Sequence, residues 1–450
     1  MNTKTKTVFT CNQCGARQPK WAGKCPECGA WNTMVEEKVL KKTNRQTGVK
    51  ESRSLQVLNQ SLKTDIKRLA TGIDEFDRVL GGGFVEGMVV LLAGEPGIGK
   101  STLVLQVLSK LKGNRFLYFS GEESEEQIAL RAGRMDIRDE RILVACENNL
   151  ENIVTHIENR EPDVVVIDSI QTIFSDMYDN VPGSVTQVRE CAGQLLRKAK
   201  EMNLCVVFIG HITKDGMIAG PKVLEHLVDT VLYLEGGKTN FYRTLRSMKN
   251  RFGSTNEVGL FTMKDTGLIP VDNPSEFFLS ERKKHVAGST VAVSMEGTRP
   301  FLIEVQALVT QSSYGNPQRT ANGIDHRRLA MLVAVLEKRA GLPLRLQDIF
   351  VNLVGGLRID ETAINLGVIV ALASSFKDVP VNPSAVFIGE VGLVGEIRSV
   401  PMIEQRVREA LKFGFSPIYI PKANLKQLDG AESGDVVGVD SISRLFDEVF

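Results

Sequence analysis

Gly94 to Thr102 reads Gly-Glu-Pro-Gly-Ile-Gly-Lys-Ser-Thr, between an apolar run, Met88 to Ala93, and a helical stretch, Leu103 to Lys110. That order predicts strand, glycine loop and helix, and the spacing G-x-x-x-x-G-K-[ST] is that of a phosphate-binding loop. In such a loop Gly94 and Gly99 let backbone N–H groups surround a polyphosphate, with Glu95, Pro96, Gly97 and Ile98 completing the turn. The helix N-terminus adds partial positive charge. Lys100 then reaches the β and γ phosphates of ATP, Ser101 holds Mg²⁺ through its hydroxyl, and Thr102 is a secondary contact. The plainer alternative is a glycine turn between strand and helix. The segments that follow alternate as in a βαβ domain, with candidate strands Phe116 to Phe119, Ile142 to Ala145, Val164 to Ile167, Cys205 to Ile209 and Val228 to Leu234. Their near-continuous apolar character implies a sheet covered on both faces.

Two acidic positions follow strand ends. Asp168 closes Val164-Val-Val-Ile, where a nucleoside triphosphatase keeps the acid that orients Mg²⁺; the alternative is a turn cap. Glu122, with Glu123, follows Phe116 to Phe119 and is placed to polarise an attacking water, or else to lend charge to the helix Ser124 to Met135. His211 ends a third strand, as a phosphate sensor or a structural histidine, and opens a glycine-rich segment to Pro221 containing Lys214. Lys249-Asn250-Arg251-Phe252-Gly253 clusters cations after the expected strand Thr244 to Met248. Those cations suit phosphate of nucleotide or DNA, or a charged turn.

The chain has 450 residues, enough for two large domains and something small. Net charge is only +1, but the first seventy residues hold fourteen Lys/Arg against five Asp/Glu. That end suits either an anionic partner or a solvated basic linker. No apolar run reaches membrane-spanning length and Met1 to Thr7 is polar, so a cytoplasmic protein is expected.

Cys11-Asn-Gln-Cys14 and Cys25-Pro-Glu-Cys28 are two C-x-x-C knuckles, each followed by glycine. Four thiolates at this spacing close a tetrahedral Zn²⁺ site, and with no open position the ion is structural. A redox dithiol would need a βαβ unit that two knuckles so close together leave no room for. Lys20, Trp21, Lys24 and Trp31 surround the knuckles, either to touch nucleic acid or to pack the small module. Cys146, Cys191 and Cys205 lie in apolar stretches and are expected to be buried.

Taken together, the four-cysteine knuckle, the loop Gly94 to Ser101, the Lys-Asn-Arg-Phe-Gly run and the C-terminal region resemble the bacterial RadA (Sms) family over essentially the whole chain. The resemblance implies an α/β fold: a RecA-like P-loop NTPase core with an N-terminal zinc knuckle and a C-terminal Lon-protease-like α+β domain. The expected division is a zinc finger over 1–35, a basic linker over 36–64, the ATPase domain over 65–285 and the Lon-like domain over 286–450. The implied activity is that of a DNA-dependent ATPase that forms a homo-hexameric ring. It would translocate on single-stranded DNA and promote branch migration of recombination intermediates alongside the RecA recombinase. Lys249 and Arg251 would act in DNA engagement or on a neighbour's nucleotide. In Lon proteases the stretch matching Gly355 to Gly367 carries a serine nucleophile where this chain has Ala363. The partner lysine would fall near Glu404 or Gln405, yet Ile397 to Leu411 contains no lysine. The C-terminal domain is therefore expected to serve assembly and DNA contact, with Arg327, Arg328, Arg345 and Arg358 as contacts or as ordinary solvated surface. Competing readings are a nucleotide-switched scaffold or signalling ATPase and, against the missing dyad, an ATP-dependent protease.

Overall fold

The computed structural model describes residues 5–11, 16–40, 67–211, 223–236, 242–312, 317–356, 358–428 and 435–450. Cys14, Lys214 with the rest of 212–222, and most of the expected linker, 41–64, lie outside the described residues. The chain divides into two compact units. The first is Met1–Gly236 with Tyr242–Pro270, and the second is Val271–Phe450 with Gly237–Phe241. Among the described residues no helix is long and apolar enough to cross a membrane.

The N-terminal module is a three-stranded sheet of β1 (Thr5–Cys11), β2 (Arg17–Gln18) and β3 (Met34–Leu40) in the order β2-β1-β3. Glu36 to Leu40, expected to begin a linker, is strand instead. Its charged sequence hides the pattern because backbone pairing holds it, with Glu36 opposite Phe9 and Leu40 opposite Thr5.

After the short pair β4 (Arg68–Leu69) and β5 (Phe84–Val85), the core of the first unit is a nine-stranded sheet. Its strands are β6 (Val89–Gly94), β7 (Phe116–Ser120), β8 (Ile142–Ala145), β9 (Val164–Asp168), β10 (Cys205–His211), β11 (Thr230–Glu235), β12 (Tyr242–Asn250), β13 (Val258–Lys264) and β14 (Gly267–Pro270). They run in the order β14-β13-β12-β11-β6-β10-β9-β7-β8. β6 to β11 pair in parallel, and β12 to β14 continue the sheet antiparallel. Alternate residues of the central strands face opposite ways. Val90, Leu92, Val207 and Ile209 pack with Leu103 and Val107 of the helix Lys100–Lys110. Val89, Leu91, Val206 and Phe208 pack with Val188 and Leu195 of the helix Val185–Met202. Each fully buried side chain of this kind contributes about 1.5–3 kcal/mol relative to exposure, and burial on both faces explains the unbroken apolar runs.

Two expectations change. The strand predicted at Thr244 to Met248 runs on through Asn250, so Lys249 and Asn250 end β12 rather than follow it. Cys191 and Cys205 are buried, and burial pushes both thiols up to about 12. Cys146 is exposed, because it lies just past β8, the outermost strand, where only one side is covered.

In the second unit, seven strands form a mixed sheet: β15 (Ser289–Glu296), β16 (Arg299–Gln311), β17 (Arg319–Asn322), β18 (Gln347–Leu353), β19 (Val386–Phe387), β22 (Ile418–Pro421) and β23 (Val436–Val439). Their order is β17-β18-β16-β15-β19-β22-β23, and a small hairpin, β20 (Glu390–Val391) with β21 (Ile397–Arg398), stands apart. The helix Asn365–Lys377 is buried from Asn365 through Ser374, as suits a segment apolar on every side.

Candidate nucleotide site and zinc centre

Four neighbouring parallel strands end side by side, and their register fixes what meets there. Gly94 lies opposite His211, and Ser120 opposite Asp168. Ligands of open α/β sheets bind outside these carboxyl ends. A cleft of about 490 Å³ opens there, lined by Gly97, Gly99, Lys100, Ser101, Thr102, Glu122, Asp168 and His211 among others.

The helix after the loop starts at Lys100, earlier than the apolar pattern suggests, because Gly99 adopts φ 112° as its N-cap. No side chain caps this end, so the first amides keep donors to offer an anion. A Cβ at Gly99 would also stand 2.7 Å from Met263 Cε and 2.9 Å from Leu268 Cδ1, so both side-chain ends would have to shift. Leu268 belongs to β14, and its backbone is clasped by the helix: its N–H donates to Gln106 Oε1 (2.9 Å) and its carbonyl accepts from Gln106 Nε2 (3.1 Å).

Lys100 is buried, and its ammonium donates to the carbonyls of Gly94 (2.9 Å) and Glu95 (3.0 Å) and sits 3.3 Å from His211 Nδ1. Burial lowers its pKa to about 8, against the opposing pull of Asp168 and Glu122. The other His211 nitrogen lies 3.1 Å and 3.3 Å from the two Glu122 oxygens, and Ser169 donates to the same carboxylate. Asp168 is buried, held by Tyr118 O–H and by Ser101, and desolvation raises its pKa.

The residues therefore fit Mg²⁺-nucleotide on three counts. Amides stand free at the helix start, a buried ammonium is held by two carbonyls and an imidazole nitrogen with no carboxylate bonded to it, and a hydroxyl beside a carboxylate gives the hard oxygen donors that Mg²⁺ prefers. Nucleotide phosphates next to Lys100 would restore its charged form. Since the lowered pKa leaves the ammonium mostly neutral above pH 8, Mg²⁺-nucleotide binding is expected to take up more protons at pH 8.5 than at pH 7. Calorimetry in buffers of differing ionisation heat measures this directly, and uptake that does not grow with pH would refute it.

The sequence reading did not single out several lining residues. Arg131 reaches the cleft from the helix Glu125–Arg134 and pairs with Glu123, while Lys264 and Asp265 come from the β13–β14 hairpin. Arg131 is one of two arginines in the last turn of its helix, with nothing local to mark it as a cleft residue, and the hairpin residues carry no local signal either.

Lys249 and Arg251 do not line this cleft. The Lys249 ammonium donates to the carbonyls of Glu225 (2.9 Å), His226 (3.2 Å) and Val228 (2.7 Å), which closes the end of the helix Val223–Leu227. Asn250 Nδ2 likewise donates to Val79 (3.3 Å) and Leu80 (3.1 Å) at the end of the helix Asp74–Leu80. Arg251 is more than half exposed and lies 3.5 Å from the buried Asp229. In the second unit, Arg328 is committed internally to the carbonyls of Ile359, Asp360 and Glu361, while Arg327, Arg345 and Arg358 are exposed.

In the N-terminal module the ligand sulfurs of Cys11, Cys25 and Cys28 lie within 4.8 Å of one another, with Cys11 and Cys28 at 3.7 Å. Both knuckles turn alike: Cys11 N–H donates to Ala16 O (2.9 Å) and Cys25 N–H to Ala30 O (2.8 Å). Three cysteine sulfurs converging this closely fit Zn²⁺.

Fold and site define a P-loop ATPase carrying a zinc ribbon, and comparison with known proteins agrees. Residues 9–36 match the model of a rubredoxin metal binding domain, 52–217 an AAA domain, and 315–424 the subunit ChlI of Mg-chelatase. The DNA repair protein RadA of Bacillus subtilis (strain 168) is 50% identical over 449 residues, 98% of each chain. The protein of that name from Streptococcus pyogenes serotype M1 is 48% identical over 451 residues, 99% of each. A KaiC-like protein from Pyrococcus horikoshii OT3 overlays 46% of this chain and all of its own, at 22% identity and a TM-score of 0.39. The chain belongs to the RadA family of DNA repair proteins. It is an ATPase that uses ATP and Mg²⁺ and carries Zn²⁺.

Proposed function

We propose that the chain is a DNA-dependent ATPase that converts hydrolysis into movement along single-stranded DNA. In the cytoplasm it would process branched recombination intermediates and promote branch migration with the RecA recombinase. The observation that carries this reading is the convergence of Lys100, Ser101, Asp168, Glu122 and His211 at four adjacent strand ends, within a family whose curated members are named for DNA repair.

Gly94 to Thr102 would cradle the phosphates, Ser101 and Asp168 would hold Mg²⁺, which would offset charge on the phosphate oxygens, and Glu122 is placed to accept the proton of the attacking water. His211 bridges Glu122 and Lys100 and is positioned to register the terminal phosphate. Of the two cations at the end of β12, Lys249 is spent on three carbonyls, so it acts by holding the helix Val223–Leu227 in place. Arg251, with one 3.5 Å partner and most of its side chain in solvent, is the one free to meet phosphate of DNA or of a neighbouring subunit in a hexameric ring. The Lon-like domain, proposed over 286–450, serves assembly and DNA contact and has no protease activity. Ala363, where the serine would stand, is fully buried.

The test is steady-state ATP hydrolysis with and without single-stranded DNA across a salt series. Stimulation that fades as salt rises is expected, because phosphate contacts release counterions. Turnover indifferent to DNA would replace this reading with that of a nucleotide-switched scaffold.

A further inference from the structure

The chain contains two tryptophans, and both stand exposed on the zinc ribbon. Trp21 keeps 59% of its surface and Trp31 69%. They do not build the module, whose buried cluster is Cys11, Cys25 and Met34 with Phe9 and Ala16 against it. Both rings border Gly23: a Cβ there would lie 3.6 Å from Trp21 and 4.0 Å from Trp31. The two indoles thus flank a strip of bare backbone. Lys24 Nζ stands 5.6 Å from the centre of the Trp31 ring, and Lys20 is exposed beside Trp21.

Large exposed aromatics this close together mark a contact surface, and the charge beside them selects the partner. From Lys20 to Trp31 the charged residues are Lys20, Lys24 and Glu27, and the following 41–66 carries six Lys/Arg against two Asp/Glu. Apolar faces flanked by cations match a ligand that alternates flat bases with phosphates. We propose that the Trp21–Trp31 face of the zinc ribbon is a stacking platform for single-stranded nucleic acid, with Lys20 and Lys24 meeting its backbone. Bases stack on aromatic side chains whatever their identity, so the platform is sequence-tolerant. The inference rests on the proposed handling of single-stranded DNA, but it concerns a surface apart from the phosphate-loop cleft.

Because no other tryptophan exists in the chain, tryptophan fluorescence, excited on the long-wavelength side of tyrosine absorption, reports on this face alone. The experiment titrates the full-length, zinc-loaded protein with a thymidine oligonucleotide and, separately, with inorganic polyphosphate. Expected is saturable quenching by the oligonucleotide and little by polyphosphate. Trp31→Ala should weaken oligonucleotide affinity roughly tenfold, and Trp31→Phe should restore most of it, both with zinc content unchanged. Fluorescence untouched by an oligonucleotide that does stimulate ATP hydrolysis would overturn the platform and leave the proposed function standing. Equal quenching by polyphosphate, with no effect of Trp31→Ala on affinity, would also overturn it, reducing the face to simple charge. If neither fluorescence nor hydrolysis responds to DNA, both readings fall together.

Discussion

Lys100→Ala is expected to lower ATP turnover by roughly 10²-fold or more, since in the proposed mechanism its ammonium would offset charge developing on the transferring phosphoryl group. The geometry explains why nothing nearby substitutes for it. Its neighbours are the Gly94 and Glu95 carbonyls, His211 and two carboxylates, and none of these is a fixed cation. Arg131 lines the same cleft but is engaged with Glu123. Lys100→Arg is a stringent companion: it keeps the charge, but its planar fork does not fit where a compact ammonium meets two carbonyls, so it should recover little. Steady-state hydrolysis decides the matter, with a thermal melt to establish that the variant is folded. Near-normal turnover in a folded Lys100→Ala protein would remove this loop from the chemistry.

The second large effect is one of stability. Arg406 is fully buried in the second unit. It donates to the carbonyls of Val293 (3.0 Å) and Pro401 (3.0 Å) and pairs with Glu361. Glu361 in turn accepts from Ser294 Oγ (3.1 Å) and Met295 N–H (2.8 Å). Arg406→Ala leaves an underpaired carboxylate, two carbonyls without a donor and a cavity, so a loss of about 3–5 kcal/mol is expected. Urea unfolding followed by limited proteolysis of the C-terminal unit reads it. Adding Glu361→Gln should recover part of the loss, because the orphaned charge goes with it. A change below about 1 kcal/mol, the range of exposed pairs, would show the ion pair to be incidental. Glu361 lies two residues before Ala363, and Arg406 one after Gln405. The region where the Lon resemblance would seat a serine and a lysine thus holds a structural ion pair whose arginine is fully buried and whose carboxylate is partly exposed.

What was legible in the sequence was whatever works over a few residues. The loop Gly94 to Thr102 carries its own strand and helix, the knuckles carry their own turns, and Asp168 ends a strand too apolar to misread. What escaped was set by register. His211 meets Glu122 across 89 residues because β10, β9 and β7 run in parallel with matched ends. Lys249 finds its carbonyls 21 to 24 residues back, at the end of a five-residue helix with no strong pattern. Cys146 looked internal because its neighbours are apolar, yet an edge strand covers only one side. Arg406 looked like one more helical surface cation; only the packing of β15 and the helix Ile403–Lys412 shows it enclosed.

The Gln106 clasp on Leu268 has a mechanical meaning. Gln106 sits on the helix that begins the phosphate site, and Leu268 is two residues short of Pro270, where the first unit ends and the chain passes to Val271. Both Leu268 and Met263 press on Gly99. The last strand of the first unit is thus tied by two backbone hydrogen bonds to the helix that carries the phosphate loop, and its Leu268 side chain lies against the loop's Gly99, so the loop and the final strand of this unit form one joined piece.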